Sequence, residues 1–477
     1  MEWQVLLSDI LYFFQVSIII YVGAVNTIYF LLMVLGFFVL GESTARLTRE
    51  EQDGLLRSPL TPGVSVLAPA YNESATIRES VKALLKLRYP NFEVIVINDG
   101  SRDDTLKILI EEFRLYKSGR LPSNKLTTKA IKGVYESRDP VRLVVIDKEN
   151  GGKADSLNAG LNVARSQLVA AIDSDSLLEP DALFHVARPF LEDPVRTIAT
   201  GGIIRVVNGC GVSQGQVTRV TAPRSYLACF QAVEYLRAFL GGRVAFSFLN
   251  CLLLISGAFG LFRRDAAIAV GGFSTSTVGE DMELVMKLHR MWREKGEDYR
   301  IAFVSEPVCW TEVPESWKTL QRQRNRWQRG TVECLRAHSK ICLNPRFGVL
   351  GLLGYPYYLL FETFGPIIEL LGYLFTLGGL AFGVTAPIVV FLFFIVSVLF
   401  GMLLSVGAVI LEELTARRYP DWRDVLRLFR AAIIENFGYR QLLTIWRTKG
   451  VIDALRGKQG WGAMERRGFA SPKTPPQ

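Results

Sequence analysis

The chain has 477 residues, room for more than one domain, and a formal net charge of +9. Its residues are 49% hydrophobic and its mean hydropathy is positive, which argues against a wholly soluble protein. The apolar surplus lies in an N-terminal run and in a long run after Phe347, so the composition describes a membrane protein with a soluble insert.

The basic residues cluster beside the apolar runs. That points the charge at an anionic membrane face rather than at nucleic acid. Six cysteines (Cys210, Cys229, Cys251, Cys309, Cys334, Cys342) show no CxxC spacing and read as reduced thiols of a cytosolic compartment. His185, His289 and His338 are scattered and are expected on helix surfaces.

Ile10 to Leu40 is uncharged over thirty-one residues, longer than the roughly 20 needed to cross a bilayer but short for two crossings. It predicts one tilted transmembrane helix within an N-terminal segment, 1–45. Glu2 and Asp9 precede it, and Arg46, Arg49 and Arg57 come after it. The positive-inside rule places the N-terminus outside and the soluble insert in the cytosol.

A linker with Pro59 and Pro62 leads into a soluble domain over 60–345. Strands are expected at Val64–Ala68, Glu93–Asn98, Val141–Asp147 and Leu168–Ile172. Helices are expected at Ser74–Leu87, with Ser74 as N-cap, and at Asp104–Tyr116 and Ala154–Arg165. This alternation predicts a doubly wound, mostly parallel α/β sheet. Gly119–Arg138 interrupts it and reads as a basic surface loop. Tyr226–Phe262 reads as helices on the membrane surface or in the core, and Asp281–Lys295 and Ser316–His338 as amphipathic helices.

From Phe347 to Leu411 the only charges are Glu362 and Glu369. Within 346–412 an interfacial or re-entrant piece is expected at Phe347–Phe361, then spans near Thr363–Gly383 and Pro387–Leu411. The tail, 413–477, is arginine-rich and belongs inside. A further span through Leu426–Ile445 would bury Arg427, Arg430, Glu435 and Arg440, so an interfacial helix is expected there instead.

Chemistry concentrates in short motifs. Pro69-Ala70-Tyr71-Asn72-Glu73 follows the first strand and Asn98-Asp99-Gly100-Ser101 the second. Gly151-Gly152-Lys153-Ala154 opens the third helix. Asp173-Ser174-Asp175 follows the fourth strand. Gly279-Glu280-Asp281 opens the later amphipathic helix, and Gln323-Arg324-Asn325-Arg326-Trp327 lies on the next. Taken singly, each reads as a turn, a cap or a solvated charged face. The first four, however, fall together at the carboxyl ends of strands, where open α/β sheets bind ligands. A nucleotide suits that edge. Tyr71 offers a ring for a base, and Glu73 and Asp99 offer acceptors for base and ribose. Lys153 and the glycine-rich amides face a diphosphate. Asp173 and Asp175 repel each other unless a hard divalent cation, Mg2+ or Mn2+, sits between them.

With these motifs, Val64 to Gly330 resembles glycosyltransferase family 2 of the inverting A-type fold. The membrane-embedded branch, with cellulose, chitin, hyaluronan and poly-N-acetylglucosamine synthases, is the most similar, and QxxRW is the most specific element. The resemblance implies a UDP-sugar donor, with Asp99 on the uridine, Asp173 on the nucleotide and Asp175 on the metal. It implies Asp281 as general base, Glu280 positioning Asp281 or the acceptor, and Gln323, Arg326 and Trp327 binding diphosphate and acceptor sugar. The Gly-Glu-Asp triplet leans toward chitin-like or poly-N-acetylglucosamine-like chemistry. Three spans are fewer than channel-forming synthases carry, so the expectation is export with a homo-oligomer or an accessory subunit, or no translocation at all.

The implied function is extension of a β-linked polysaccharide. The alternatives are transfer of one or a few sugars to a lipid-linked acceptor, and a non-catalytic membrane transport or binding subunit. A degenerate subunit has no need of base and metal pair together, which argues against the last.

Overall fold

A computed structural model of the chain describes residues 2–43, 54, 58, 61–138, 142–173 and 176–458. Arg46, Arg49, Arg57, Pro59, Val141, Asp175 and the end of the tail lie outside them. The chain divides into two compact units, one of residues 1–42, 224–249 and 314–462, the other of 43–223, 250–313 and 463–477.

The second unit is built on strands. These are β1 Val64–Ala70, β2 Phe92–Asp99, β3 Leu115–Lys117, β4 Ile131–Ser137, β5 Leu143–Lys148, β6 Leu168–Ile172, β7 Leu177–Leu178, β8 Thr197–Val206, β9 Gly211–Ser213, β10 Gln216–Arg219, β11 Phe259–Arg263 and β12 Arg300–Thr311. All but the β9–β10 hairpin join one sheet in the order β3-β4-β5-β2-β1-β6-β11-β8-β12-β7. β5, β2, β1 and β6 are mutually parallel, β11 is antiparallel to both its neighbours, and β12 is parallel to β8. With β3 and β4 antiparallel on one edge and β7 on the other, only β4, β7 and β11 run against the rest. The sheet is therefore mixed and mostly parallel. The central strands are apolar on both faces, as burial under helices on both sides requires, and Leu67, Ile95, Ile97 and Ile146 are fully buried. The parallel core sends the ends of β1, β2, β5 and β6 to one edge, immediately before Tyr71, Gly100, Glu149 and Asp173.

Gly119–Arg138 is not a surface loop. It contains β4, paired antiparallel to β5, and Arg120 is 7% exposed. The Arg120 guanidinium donates to Glu93 Oε2 at 2.8 Å and Oε1 at 3.1 Å, and to the Val163 carbonyl at 2.6 Å. The charges that suggested solvent are spent on internal carboxylates, and the period-2 pattern of Ile131–Ser137 is that of an edge-side strand. The N-cap before the 77–85 helix is Thr76 rather than Ser74, because Ser74 N is taken by Asp103 Oδ2 at 3.0 Å. Nor are all the histidines on surfaces. His338 is buried, and His289 is fully buried on the inward face of the 280–295 helix. Its ring nitrogens meet the Tyr299 hydroxyl at 2.7 Å and the Leu252 carbonyl at 2.9 Å. Burial pushes the His289 imidazole down to about 4. All six cysteines are free thiols.

The first unit is helical. Among the described residues, three helices are long and apolar enough to cross a membrane: Asp9–Gly41, Leu350–Ala381 and Pro387–Thr415. The piece expected as interfacial, Phe347–Phe361, largely runs on into the second of these. Pro356 and Pro366 each remove a backbone donor, and π-helical turns at Leu350–Gly354 and Tyr358–Phe364 absorb the misfit without ending the helix. The Leu426–Ile445 segment is split between helices Trp422–Ile434 and Tyr439–Leu455. It contributes no candidate span.

Arg120→Met leaves Glu93 without its cation and should destabilise the protein by about 3 kcal/mol. Burial pushes the Glu93 carboxyl up, and bonds from Arg120 and Ser65 more than reverse it, leaving it below the usual range. Its contribution is thus present at neutral pH and lost as the pH falls through that depressed value. Thermal unfolding in detergent should show a large gap between wild type and variant at pH 7 that closes in acid.

Candidate active site

Four of the expected site residues converge in the second unit. Lys153 opens the 153–163 helix after the end of β5, and Asp173 follows β6. Glu280 and Asp281 open the 280–295 helix, which is otherwise fixed by its buried face (Met282, Leu284, Val285, Leu288). Lys153 Nζ lies 2.6 Å from Asp173 Oδ1, 3.2 Å from Glu280 Oε1 and 3.2 Å from the Gly257 carbonyl. Asp281 Oδ2 accepts from the Gly257 amide at 2.9 Å, and its Oδ1 from Met282 N at 2.8 Å. Gly257 is the close approach that makes this possible. A Cβ there would stand 3.0 Å from Lys153 Nζ and 3.1 Å from Asp281 Oδ2.

Asp173 and Glu280 thus share one ammonium, and the charge of Asp281 acts on it as well. Burial pushes the Lys153 ammonium down, and Asp173, Glu280 and Asp281 more than reverse it, holding it above the lysine range. Burial holds the Glu280 carboxyl above the usual carboxylate range, with Lys153 opposing and Asp281 reinforcing. The side chain of Asp173 is 32% exposed and that of Glu280 only 6%, so Asp173 is more open to a ligand than Glu280.

The neighbouring loops are laced together. The Asn72 amide donates to Ser101 Oγ at 3.0 Å, and Asn72 Oδ1 accepts from Arg102 N at 2.8 Å. Glu73 Oε2 accepts from the Thr76 hydroxyl at 2.8 Å, at the start of its own helix. Tyr71 is 45% exposed and its ring is free to face a planar ligand. Asp99 is 4% exposed, and its carboxylate is met by donors of the chain itself. Oδ1 accepts from Lys148 Nζ at 2.6 Å and Gly151 N at 2.9 Å; Oδ2 accepts from Gly152 N at 2.8 Å and Asn150 Nδ2 at 3.2 Å. The glycine amides expected to face a diphosphate are therefore committed to Asp99.

The first sequence pattern to match is described as glycosyl transferase family group 2, over residues 168–404, and the second as glycosyl transferase family 2, over residues 65–121. Together they take in well over half of the chain, including the motifs that end β1, β2 and β6. The chain belongs to glycosyltransferase family 2. Among its relatives is the poly-beta-1,6-N-acetyl-D-glucosamine synthase of Staphylococcus epidermidis, 30% identical over 274 residues, which are 57% of this chain and 55% of that protein. The protein of the same name from Staphylococcus aureus (strain COL) is 27% identical over 330 residues, 68% of this chain and 67% of the relative. The chain spans little more than half the length of the first of these. A mannosyltransferase from Pyrobaculum calidifontis, solved in complex with GDP-Man and Mn2+, shares the fold. Its TM-score is 0.52 at 19% identity, covering 89% of this chain and 99% of that one.

The QxxRW motif of this family 2 chain lies on the 317–337 helix of the first unit. There Arg324 is buried, pairs with Glu234 Oε2 at 2.8 Å and lies over the Trp327 ring, 4.4 Å from its centroid. Trp327 is 40% exposed, and Gln323 Oε1 is buried with no partner among the described residues. Arg326 is on the same helix, half-buried. The helix is pinned to the 439–455 helix, where Asn325 meets Asp453 at 3.0 Å and Gln328 meets Arg447 at 2.8 Å.

Among the described residues no three carboxylate, imidazole or thiol groups form a metal cage, and Asp175 is not among them. A cage is not required. Mg2+ is commonly held by one or two carboxylates plus substrate phosphates, and three carboxylates against one lysine leave a net negative site of hard oxygen donors. That donor set fits a divalent cation.

Lys148, Asp155 and Gly257 were not legible as site residues. The only signal for Lys148 is a charged residue closing a strand whose first four residues are apolar and buried.

Lys153→Met removes the shared cation. Because the folded Lys153 ammonium titrates above its unfolded value, its own titration removes the contribution only as the pH rises through the lysine range, and it is in place at pH 7. The variant should unfold at lower temperature than wild type at pH 7. The gap should narrow as the pH falls and Glu280, held above the usual carboxylate range, protonates. Thermal unfolding across pH 4–8 checks this.

Proposed function

We propose that the protein is a membrane-bound inverting hexosyltransferase that moves a sugar from a UDP-sugar to a growing β-linked polysaccharide. The observation that carries this is the convergence of Asp173, Glu280 and Asp281 on Lys153 at the ligand-binding edge of the sheet. It supplies a base, a nucleotide-facing carboxylate and a cation in one place. The names of the Staphylococcus relatives favour N-acetylglucosamine as the sugar, and the Gly-Glu-Asp triplet leans the same way.

Asp281 is held by the Gly257 and Met282 amides with its carboxylate oriented, and it takes the proton of the acceptor hydroxyl. The hydroxyl oxygen bonds to C1 as the bond from C1 to the diphosphate oxygen breaks, so a single displacement inverts C1 and UDP leaves with the electron pair. Glu280, protonated more readily than an ordinary carboxyl, positions Asp281 and the acceptor. Lys153 faces the diphosphate, Tyr71 and Glu73 line the nucleoside side, and Asp99 holds the glycine turn beneath the nucleotide. Asp173 and Asp175 would hold Mg2+ or Mn2+, which when bound stabilises charge on the leaving diphosphate. Gln323, Arg326 and Trp327 serve the diphosphate and the acceptor sugar, Trp327 as a stacking surface. The arginine-rich tail places the catalytic domain on the cytoplasmic side of a cell membrane. A homo-oligomer or an accessory subunit would carry the product across.

The test is sugar-nucleotide turnover by purified protein in lipid with Mn2+ or Mg2+. It offers UDP-N-acetylglucosamine, UDP-glucose, UDP-galactose and UDP-glucuronic acid in turn and tracks UDP release and product length. UDP-N-acetylglucosamine should be consumed and give a long product. A single short product, formed only with added lipid, would move the assignment to a lipid-linked acceptor. Asp281→Asn should bind UDP as wild type does and lose transfer by at least about 100-fold. Undiminished turnover would defeat the base assignment.

A further inference from the structure

We infer that Lys148 is a positioning residue for the donor site. It sets the glycine turn that presents Lys153, and it does so through Asp99 and Asp155. The inference rests on the nucleotide-sugar reading of the same site.

Lys148 ends β5 and is paired in register with Asp99 at the end of β2. Neighbouring residues alternate faces along a strand. Lys148 and Asp99 therefore share the face that carries the 153–163 helix, while Asp147 and Asn98 share the other and bond to each other at 2.8 Å. Lys148 is fully buried. All three donors of its ammonium are used, on Asp99 Oδ1, Asp155 Oδ1 and the Glu149 carbonyl, each at 2.6 Å. A lysine so placed has no donor left for substrate and cannot be a catalytic residue.

Its reach is through its partners. Asp99, held by Lys148, takes the amides of Gly151 and Gly152. Gly152 adopts φ +88°, a conformation glycine tolerates. Asp155, held by the same ammonium, crowds the turn from within, since a Cβ on Gly151 would run into its Oδ1. Asp155 also accepts from Lys129 N of the β4 insertion at 3.0 Å. One cation thereby joins the end of β2, the end of β5, the insertion and the turn whose next residue is Lys153. Without it, two buried carboxylates lose their shared counter-charge and repel, the turn loses its two-amide anchor, and Lys153 loses its placement against Asp173 and Glu280.

The experiment measures UDP affinity, by calorimetry on the full-length protein with Mn2+, for wild type, Lys148→Met, Lys153→Met and the double variant. Lys148→Met should weaken UDP by about tenfold, and the double variant should bind no more weakly than Lys153→Met alone, because both changes remove the same ammonium from the diphosphate. Asp155→Asn, which keeps Lys148 on Asp99, covers the case in which Lys148→Met does not fold; it should weaken UDP by less than Lys153→Met and likewise add nothing to it. Independent, multiplying losses, or wild-type affinity in folded Lys148→Met, would overturn the inference. Failure of wild type to bind UDP at all would instead overturn the nucleotide reading on which it rests.

Discussion

A single ammonium balanced against three carboxylates organises the catalytic unit. Asp173, Glu280 and Asp281 come from chain segments more than a hundred residues apart, and like charges at that range are mutually costly in a partly buried site. Lys153 offsets the cost. The cluster is also biased toward further positive charge, since one lysine does not neutralise three acids. A site of this kind is poised for a cation and a diphosphate together: the cation takes up the residual negative charge and the phosphate takes up the lysine.

Around it the fold supplies rigidity by burying charge in pairs. Arg120 locks the β4 insertion onto Glu93, and Lys148 locks the glycine turn onto Asp99 and Asp155. Buried pairs of this sort are weak contributors to net stability but strong ones to geometry, because removing one partner strands the other. That suits loops that must keep one geometry without the regular hydrogen bonding of helix or strand. In the helical unit the same device recurs: Arg324–Glu234 fastens the QxxRW helix to the 226–236 helix, and Arg447–Glu362 fastens the 439–455 helix to the 358–364 turn.

The strand–helix alternation, the three apolar spans and the motifs at strand ends were legible in the sequence because each is a local pattern. Hydrophobic period reports burial within one element, and a carboxylate pair after an apolar run reports an edge. β4 was not legible. Its sequence, Ile131–Ser137, is weakly apolar and sits among basic residues, and only the burial of Arg120 against Glu93, 27 positions away, shows that the insertion is part of the core. His289 was misjudged for a similar reason: its partners, Tyr299 and Leu252, come from different segments, so nothing local marks it as buried.

The sequence by itself determined the composition of the site, since glycosyltransferase motifs carry their chemistry in residue type and order. Only the tertiary structure decided how those residues are used. Asp99, read as a nucleotide ligand, turns out to be saturated by four donors of its own chain. Lys153, read as a diphosphate ligand, is also the counter-ion of three acids. Lys148, unremarkable in sequence, holds the turn between them. The physical reason is that a charged group's role depends on which opposite charges and hydrogen-bond partners the fold brings within about 3 Å, and that proximity is long-range information that no local pattern contains.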